Sequence, residues 1–384
     1  MVSNEVRQGV SRKAPAVGTL RIPVDVNLHQ TALGERLARQ EPDRRAFLKA
    51  AAALGLSVPA LLGGGSNVLA QESDTESTPE GAYTGGHGNE HGTGDSTPVP
   101  STPTEHVVYD PFLPAVEAGP KAITISAVDA TVFVAKDTPY AGWTWDGTIP
   151  GPIHRVVQGD EVTVTVRNDG AITHSLDYHS AKTPPNVNYR SVAPGEEFTW
   201  SFTATTPGAY MYHCGTAPVL MHIGAGMYGA MIVDPAEGWA PAQELCFVQS
   251  EFYFEDDDAK IMVPSMAKMM LASGVMMDLV TFNGYANQYV ENPIKIKVGE
   301  PVRIFVVNAG PNVWCSFHVV GAIFDKAFVN ANPANPLYGL QGISIGPGDG
   351  ACVEFTVEEP GEYLAVNHAF GHATHGAVAI LKAE

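Results

Sequence analysis

From about residue 107 onward, apolar and polar residues alternate in short runs punctuated by Gly, Pro and Asn-Asp: "AITISAVDATVFVA", "GDEVTVTVRNDG", "GEEFTWSFTATTPGAYMYHC". A period of two with such punctuation predicts antiparallel sandwich strands rather than helices. The pattern occurs twice. "GWTWDGTIPGPIHRVVQGDEVTVTVRNDG" (142–170) parallels "LVTFNGYANQYVENPIKIKVGEPVRIFVVNAG" (279–310), and "SVAPGEEFTWSFTATTPGAYMYHC" (191–214) parallels "ISIGPGDGACVEFTVEEPGEYLAVNH" (343–368). A divergent internal duplication predicts an all-β chain of two tandem sandwiches, residues 107–240 and 241–384, with a junction near 234–245. The stretch "EFYFEDDDAKIMVPSMAKMMLASGVMMD" interrupts the second copy. Its acids read as a solvated loop, and Met262, Met266, Met269 and Met270 as one face of a short helix suited to core or interface packing.

The first hundred residues have a different character. "DRRAFLKAAAALGLSVPALLGG" sets Arg44 and Arg45 ahead of an apolar run too short and too glycine-interrupted to span a bilayer, and resembles a twin-arginine export signal. Residues 1–70 therefore read as a leader, cleaved after Ala70, for an exported, periplasmic or extracytoplasmic protein with no membrane span in its mature chain. Residues 71–106, rich in Gly, Ser, Thr, Pro and acids, read as a disordered linker, with His87 and His91 on a passive tether. Acids outnumber bases 41 to 22, a formal charge of −19. Nucleic acid is thereby disfavoured as a partner, because phosphate binding needs a cationic face.

The candidate chemistry lies in two histidine clusters. "THSLDYHS" supplies His174, Asp177 and His179, and "MYHCGTAPVLMHIGAGM" supplies His213, Cys214, His222 and Met227. One thiolate, two imidazoles and an axial thioether make the blue-copper ligand set, whose soft sulfur donors suit the Cu(I)/Cu(II) couple. His174, Cys214, His222 and Met227 fit it in order and type. Structural zinc is disfavoured, since methionine is a poor zinc ligand and Cys246, Cys315 and Cys352 are scattered. Two of those three could pair as a disulfide; sequence alone leaves that open. Successive strand residues point to opposite faces, so an inward Cys214 sends His213 outward, and His179 stands in the same relation to His174. Two outward histidines are two thirds of a second metal site, whose third ligand must come from elsewhere.

"HSLDYH", "YHC…MHIGAGM", "FHVV" and "VNHAF" resemble the copper-containing nitrite reductases, over essentially all of residues 107–384. The resemblance implies two Greek-key cupredoxin domains, a homotrimer, and one type 1 and one type 2 copper in each subunit. It places type 1 copper on His174, Cys214, His222 and Met227, and type 2 copper on His179 and His213 with His368 from the adjacent subunit. It makes Asp177 and His318 the active-site acid and histidine and sets Val320 over the substrate pocket. The implied reaction is one-electron reduction of nitrite to nitric oxide and water in denitrification, fed by a small donor protein, a cupredoxin or a cytochrome c. His372 and His375 have no ligand role in this reading and serve as supporting or subunit-contact groups. Aligned by their "NDG" and "NAG" turns, the copies set His174 against Trp314 and Cys214 against Asn367, so the second has no blue-copper set. The seven residues between Cys214 and His222, and Met221 where the family commonly has tryptophan, depart from the pattern where a donor would dock. Two rivals are a two-domain laccase-like multicopper oxidase, which needs His-x-His pairs this chain lacks, and a blue-copper electron carrier, which would not need His179, His213 and His368.

Overall fold

The computed structural model describes residues 97–271 and 276–384. The leader with its arginine pair, and the linker with His87 and His91, lie outside the described residues. The last linker residues do not: Ser101 and Thr104 are hydrogen-bonded to Thr131, and His106 stacks on Tyr285 at 3.8 Å. The tether therefore ends several residues before the expected 106.

Eight strands build the first sandwich: β1 (Lys121–Ala135), β2 (Thr138–Trp145), β3 (His154–Val157), β4 (Glu161–Asn168), β5 (Asp177–Tyr178), β6 (Glu197–Thr203), β7 (Gly208–His213) and β8 (Tyr228–Asp234). They form two sheets, in the orders β2-β1-β4-β6 and β3-β8-β7-β5. Eleven build the second: β9 (Gln243–Phe252), β10 (Leu279–Phe282), β11 (Ile294–Ile296), β12 (Val302–Gly310), β13 (Cys315–Val320), β14 (Phe324–Val329), β15 (Pro336–Leu340), β16 (Ile343–Ile345), β17 (Gly350–Phe355), β18 (Gly361–Asn367) and β19 (Val378–Ala383). Their sheets run β10-β9-β12-β17-β14-β15 and β11-β19-β18-β13-β16. The duplication shows in the pairing. β1 is parallel to β4 and β3 to β8 in one copy, β9 to β12 and β11 to β19 in the other, the remaining ladders being antiparallel.

The four sheets enclose three cores. In β4, alternation works as the sequence predicts: Val162, Val164 and Val166 point inward, while Thr163 and Thr165 make hydroxyl contacts with Ser201 and Thr199 on the outer face. β8 and β12 do not alternate, because both of their faces are covered. Met231 and Val233 enter the first core; Ala230 and Ile232 meet Val248, Phe305 and Val307 in a middle core between the sandwiches. The junction is also ionic. Arg303, 1% exposed, holds Glu244 and Glu354, and Arg155 bridges Asp234 to Glu244.

The methionine helix is shorter than expected. It spans Met266–Met270 with Ser265 as its cap, and only Met269 is buried; Met262 lies outside it, its backbone bonded to Pro139 and Ala141. All four cysteines are buried and free, so no pair among Cys246, Cys315 and Cys352 is a disulfide.

Candidate metal centres

β7 and the turn after it carry both clusters. Tyr212 and Cys214 are fully buried in the first core, and His213 between them points to the opposite face, its side chain 12% exposed. Strand parity thus separates the adjacent pair. That opposite face is not wholly solvent: Ala209 and Met211, which share it, pack in the middle core, and His213 is where β7 emerges from under the second sandwich.

On the inner side, Cys214 Sγ lies 3.2 Å from His222 Nδ1 and 3.8 Å from His174 Nδ1, and the two imidazole nitrogens are 3.2 Å apart. Donor atoms bound about 2.0–2.3 Å from a common centre have this spacing, so the set fits a single soft metal ion. His174 arrives through a bridge to Val192, and His222 on the short helix Val219–Gly224. Met227, 0% exposed, is tied to both partners, its N–H donating to His222 O and its carbonyl accepting from Cys214 N. Gly226 permits this turn: its φ is +118°, and a Cβ there would strike Ile149. Burial lowers His174 to about 3, with His222 adding, and lowers His222 to about 4. Both are therefore neutral donors. Burial raises the Cys214 thiol, so its proton must leave when a metal binds.

Two contributors had no sequence signal. Trp143 lays its ring 4.5 Å from that of His222 and closes the site from β2. Ser175 donates its backbone N–H to Cys214 Sγ while its hydroxyl accepts from Gly215 and Thr216. Met221 corrects an expectation: it is 4% exposed and packs in the first core, not at a docking surface.

On the outer side, His179 Nε2 and His213 Nε2 are 3.0 Å apart, and Asp177 Oδ2 is 3.9 Å from His213 Nε2. Register explains the grouping. Asp177 pairs with His213 across β5 and β7, so they share a face, and Tyr178 pairs with Tyr212 inside. His213 Nδ1 is 2.9 Å from the Cys214 carbonyl, which can only accept, so Nδ1 carries the proton and Nε2 offers its lone pair.

His368 is not in that group. It is exposed, just past the end of β18, with its ring 5.4 Å from His318 and 4.6 Å from Phe370. His318 Nδ1 donates to the Gln341 carbonyl, leaving Nε2 free. Val320, 41% exposed, lies two residues along the same face of β13 and pairs in register with Leu364, 38% exposed. Each chain thus carries two incomplete histidine groups, Asp177/His179/His213 and His318/His368, the latter beside exposed apolar side chains.

The duplicate alignment needs one correction. Asn168 Nδ2 reaches Ile172 O and Val192 O, and Asn308 Nδ2 reaches Val313 O and Ile345 O. The second turn is one residue longer, so the counterpart of His174 is Cys315, which pairs with Ile345 as His174 does with Val192; Trp314 is displaced outward, 62% exposed. Asn367 does stand opposite Cys214: each donates its backbone N–H to the matching strand, to Ala377 O and Met227 O. His372 occupies the place of His222, since Ala377 N donates to His372 O as Met227 N does to His222 O.

A multicopper oxidase family model matches residues 127–238. The copper-containing nitrite reductase of Neisseria meningitidis serogroup B is 38% identical over 269 residues, covering 68% of this chain and 68% of that protein. That of Rhizobium sullae is 29% identical over 357 residues, 85% and 89% of the two chains. The copper nitrite reductase structure from Nitrosomonas europaea superposes with a TM-score of 0.63 at 36% identity, covering 69% of this chain and 94% of that one.

Proposed function

The chain belongs to the copper-containing nitrite reductases, and on that premise we propose that His174, Cys214, His222 and Met227 hold a type 1 copper and that His179 and His213, with His368 of the partner subunit, hold a type 2 copper. Its reaction is the reduction of nitrite; as we read it, nitrite takes one electron and two protons to give nitric oxide and water. Held by these residues, copper would supply the one-electron couple and a Lewis acid for an oxygen donor.

The remaining work falls to side chains. The oxygen that leaves as water needs two protons delivered locally. Asp177, paired with His213 across β5 and β7, is placed on the outer face to relay one. His318, its Nδ1 committed to Gln341, turns Nε2 outward as a relay point for the other, and its proximity to His368 would bring it to the same assembled site. Val320 narrows the approach with an aliphatic wall. His213 and Cys214 are joined by one peptide linkage, and the contact between His213 Nδ1 and the Cys214 carbonyl adds a second, hydrogen-bonded link between the two ligand sets.

The observation that carries this reading is the division of adjacent His213 and Cys214 between two ligand clusters on opposite faces of one strand. A simple electron carrier has no use for the outer cluster, and a laccase-like trinuclear centre would need His-x-His pairs, of which the chain has none. In a homotrimer each subunit would complete its neighbour's catalytic copper. Residues 107–240 and 241–384 would be the two domains, and the leader would direct export to the periplasm by the twin-arginine route for denitrification. No helix among the described residues is long and apolar enough to cross a membrane. A cupredoxin or cytochrome c would supply electrons at the type 1 side. Purified, copper-loaded protein given a reduced dye and nitrite should release nitric oxide; fully loaded protein that releases none refutes the reading.

A further inference from the structure

The second sandwich keeps the backbone of a metal cradle, with His372 alone left at a ligand position. Gly376 repeats the turn of Gly226, with φ +119° against +118°. Ser316 N donates to Asn367 Oδ1 at 3.1 Å, as Ser175 N donates to Cys214 Sγ at 3.4 Å. The amide oxygen of Asn367 therefore stands where the first sandwich has its sulfur. Asn367 is 0% exposed, and its side chain is saturated with contacts. Oδ1 also accepts from Ala369 N at 3.1 Å. Nδ2 lies 2.8 Å from Oε1 of fully buried Gln249, 3.0 Å from Trp314 O and 2.9 Å from His372 Nδ1. His372, without an assigned role from sequence, thus packs against this amide.

Those bonds converge on the exposed histidine pair. Ser316, held by Oδ1, accepts in turn from the backbone N–H of His368 at 2.7 Å and lies two residues before His318 on β13. Ala369, held by the same oxygen, follows His368. One buried amide thereby fixes the backbone on both sides of His368 and its offset from His318. We propose that Asn367 is the positioning residue of the His318/His368 half-site, and that the emptied cradle of the second sandwich serves as the rigid mount for a ligand of the catalytic copper. The proposal rests on the assignment of His368 as a type 2 ligand.

Groups that orient a metal ligand from behind change metal affinity by about 10–100-fold when removed. In the full-length trimer, Asn367→Leu should weaken type 2 copper binding by a factor in that range and alter the type 2 hyperfine splitting in electron paramagnetic resonance, with the blue type 1 absorption unchanged. Asn367→Asp keeps both acceptor contacts and should lose less affinity while still shifting the hyperfine splitting. His368→Ala is the reference: retention of type 2 copper there overturns the ligand assignment itself. If His368→Ala loses that copper while Asn367→Leu binds it with wild-type affinity and splitting, the positioning role is wrong. Should Asn367→Leu also lose the blue band through misfolding, Asn367→Asp decides, a wild-type type 2 spectrum and affinity refuting the proposal and a shifted one supporting it.

Discussion

Glu251→Gln should make the protein more stable at alkaline pH and leave it unchanged in acid. Glu251 lies on β9, 1% exposed; its Oε1 accepts from the backbone N–H groups of Asn312 and Val313 and from the Tyr253 hydroxyl, and its Oε2 has no hydrogen-bond partner among the described residues. Burial raises the carboxyl from 4.5 to about 7, outweighing those donors. Between these values the folded chain keeps a proton that the unfolded chain releases, so stability falls as pH rises through the window. At about 1.4 kcal/mol for each pH unit, the loss reaches about 3 kcal/mol above pH 7. Glutamine retains an acceptor at Oε1 and cannot ionise. Urea unfolding of the copper-loaded protein, followed by tryptophan fluorescence at pH 4.5 and pH 8, should give equal midpoints for variant and wild type in acid and a clear gain for the variant at pH 8. A gain of the same size at both values, or none, refutes the reasoning. The site is touched through the loop Glu251 holds: Asn312 also bonds Met269 O, and the Met269 side chain packs on Gly224 in the helix bearing His222.

Asp177→Asn should lower the rate of nitric oxide release by roughly 10²–10⁴-fold, the usual contribution of a general acid, with copper content and blue absorption intact. His213→Ala and His368→Ala should each abolish turnover and type 2 copper while the visible spectrum persists; loss of the blue band in either would mean that the clusters are not separate. Arg303→Ala leaves Glu244 and Glu354 short of a partner at the sandwich junction and should cost about 3 kcal/mol in unfolding free energy, read by urea denaturation, without altering nitric oxide release from the folded enzyme. Because His368 would serve a neighbouring subunit, dilution that dissociates the assembly should release type 2 copper before type 1, as electron paramagnetic resonance across a dilution series would show.

The sandwich class, the tandem repeat and the inner cluster were legible because they depend on local order. Alternation in β4, the sequence Cys-loop-His-loop-Met and the opposite faces of His213 and Cys214 need only strand periodicity. What covers a face is not local. Ala209 and Met211 face outward by parity yet pack in the middle core, and Phe305 of β12 does so from the other side, because a second sandwich lies there. The pairing of His318 with His368 comes from a ladder between β13 and β18, and Trp143 reaches His222 from a hairpin that begins well upstream. One extra residue in the second turn shifted Trp314 out of the position aligned to His174, a difference the hydrogen bonds of Asn168 and Asn308 reveal and the "NDG" and "NAG" motifs conceal.

Duplication accounts for how one fold came to carry two kinds of histidine group. A cupredoxin-like sandwich offers an interior cradle at one end, formed where a strand leaves its ladder and returns through a helical turn. In the first copy a thiol and two buried imidazoles fill that cradle, and burial keeps the imidazoles neutral and solvent away. In the second, cysteine stands for histidine at 315, asparagine for cysteine at 367 and alanine for methionine at 377, so one imidazole remains and the soft donor set is gone. The cradle cannot be left with unpaired backbone N–H groups in a dry interior, since each would carry its full desolvation penalty. An amide, with acceptor and donors on one planar group, satisfies the flanking strands where an aliphatic side chain would not. The residue that fills the second cradle thereby also ties Ser316 and Ala369, the backbone groups that flank His368.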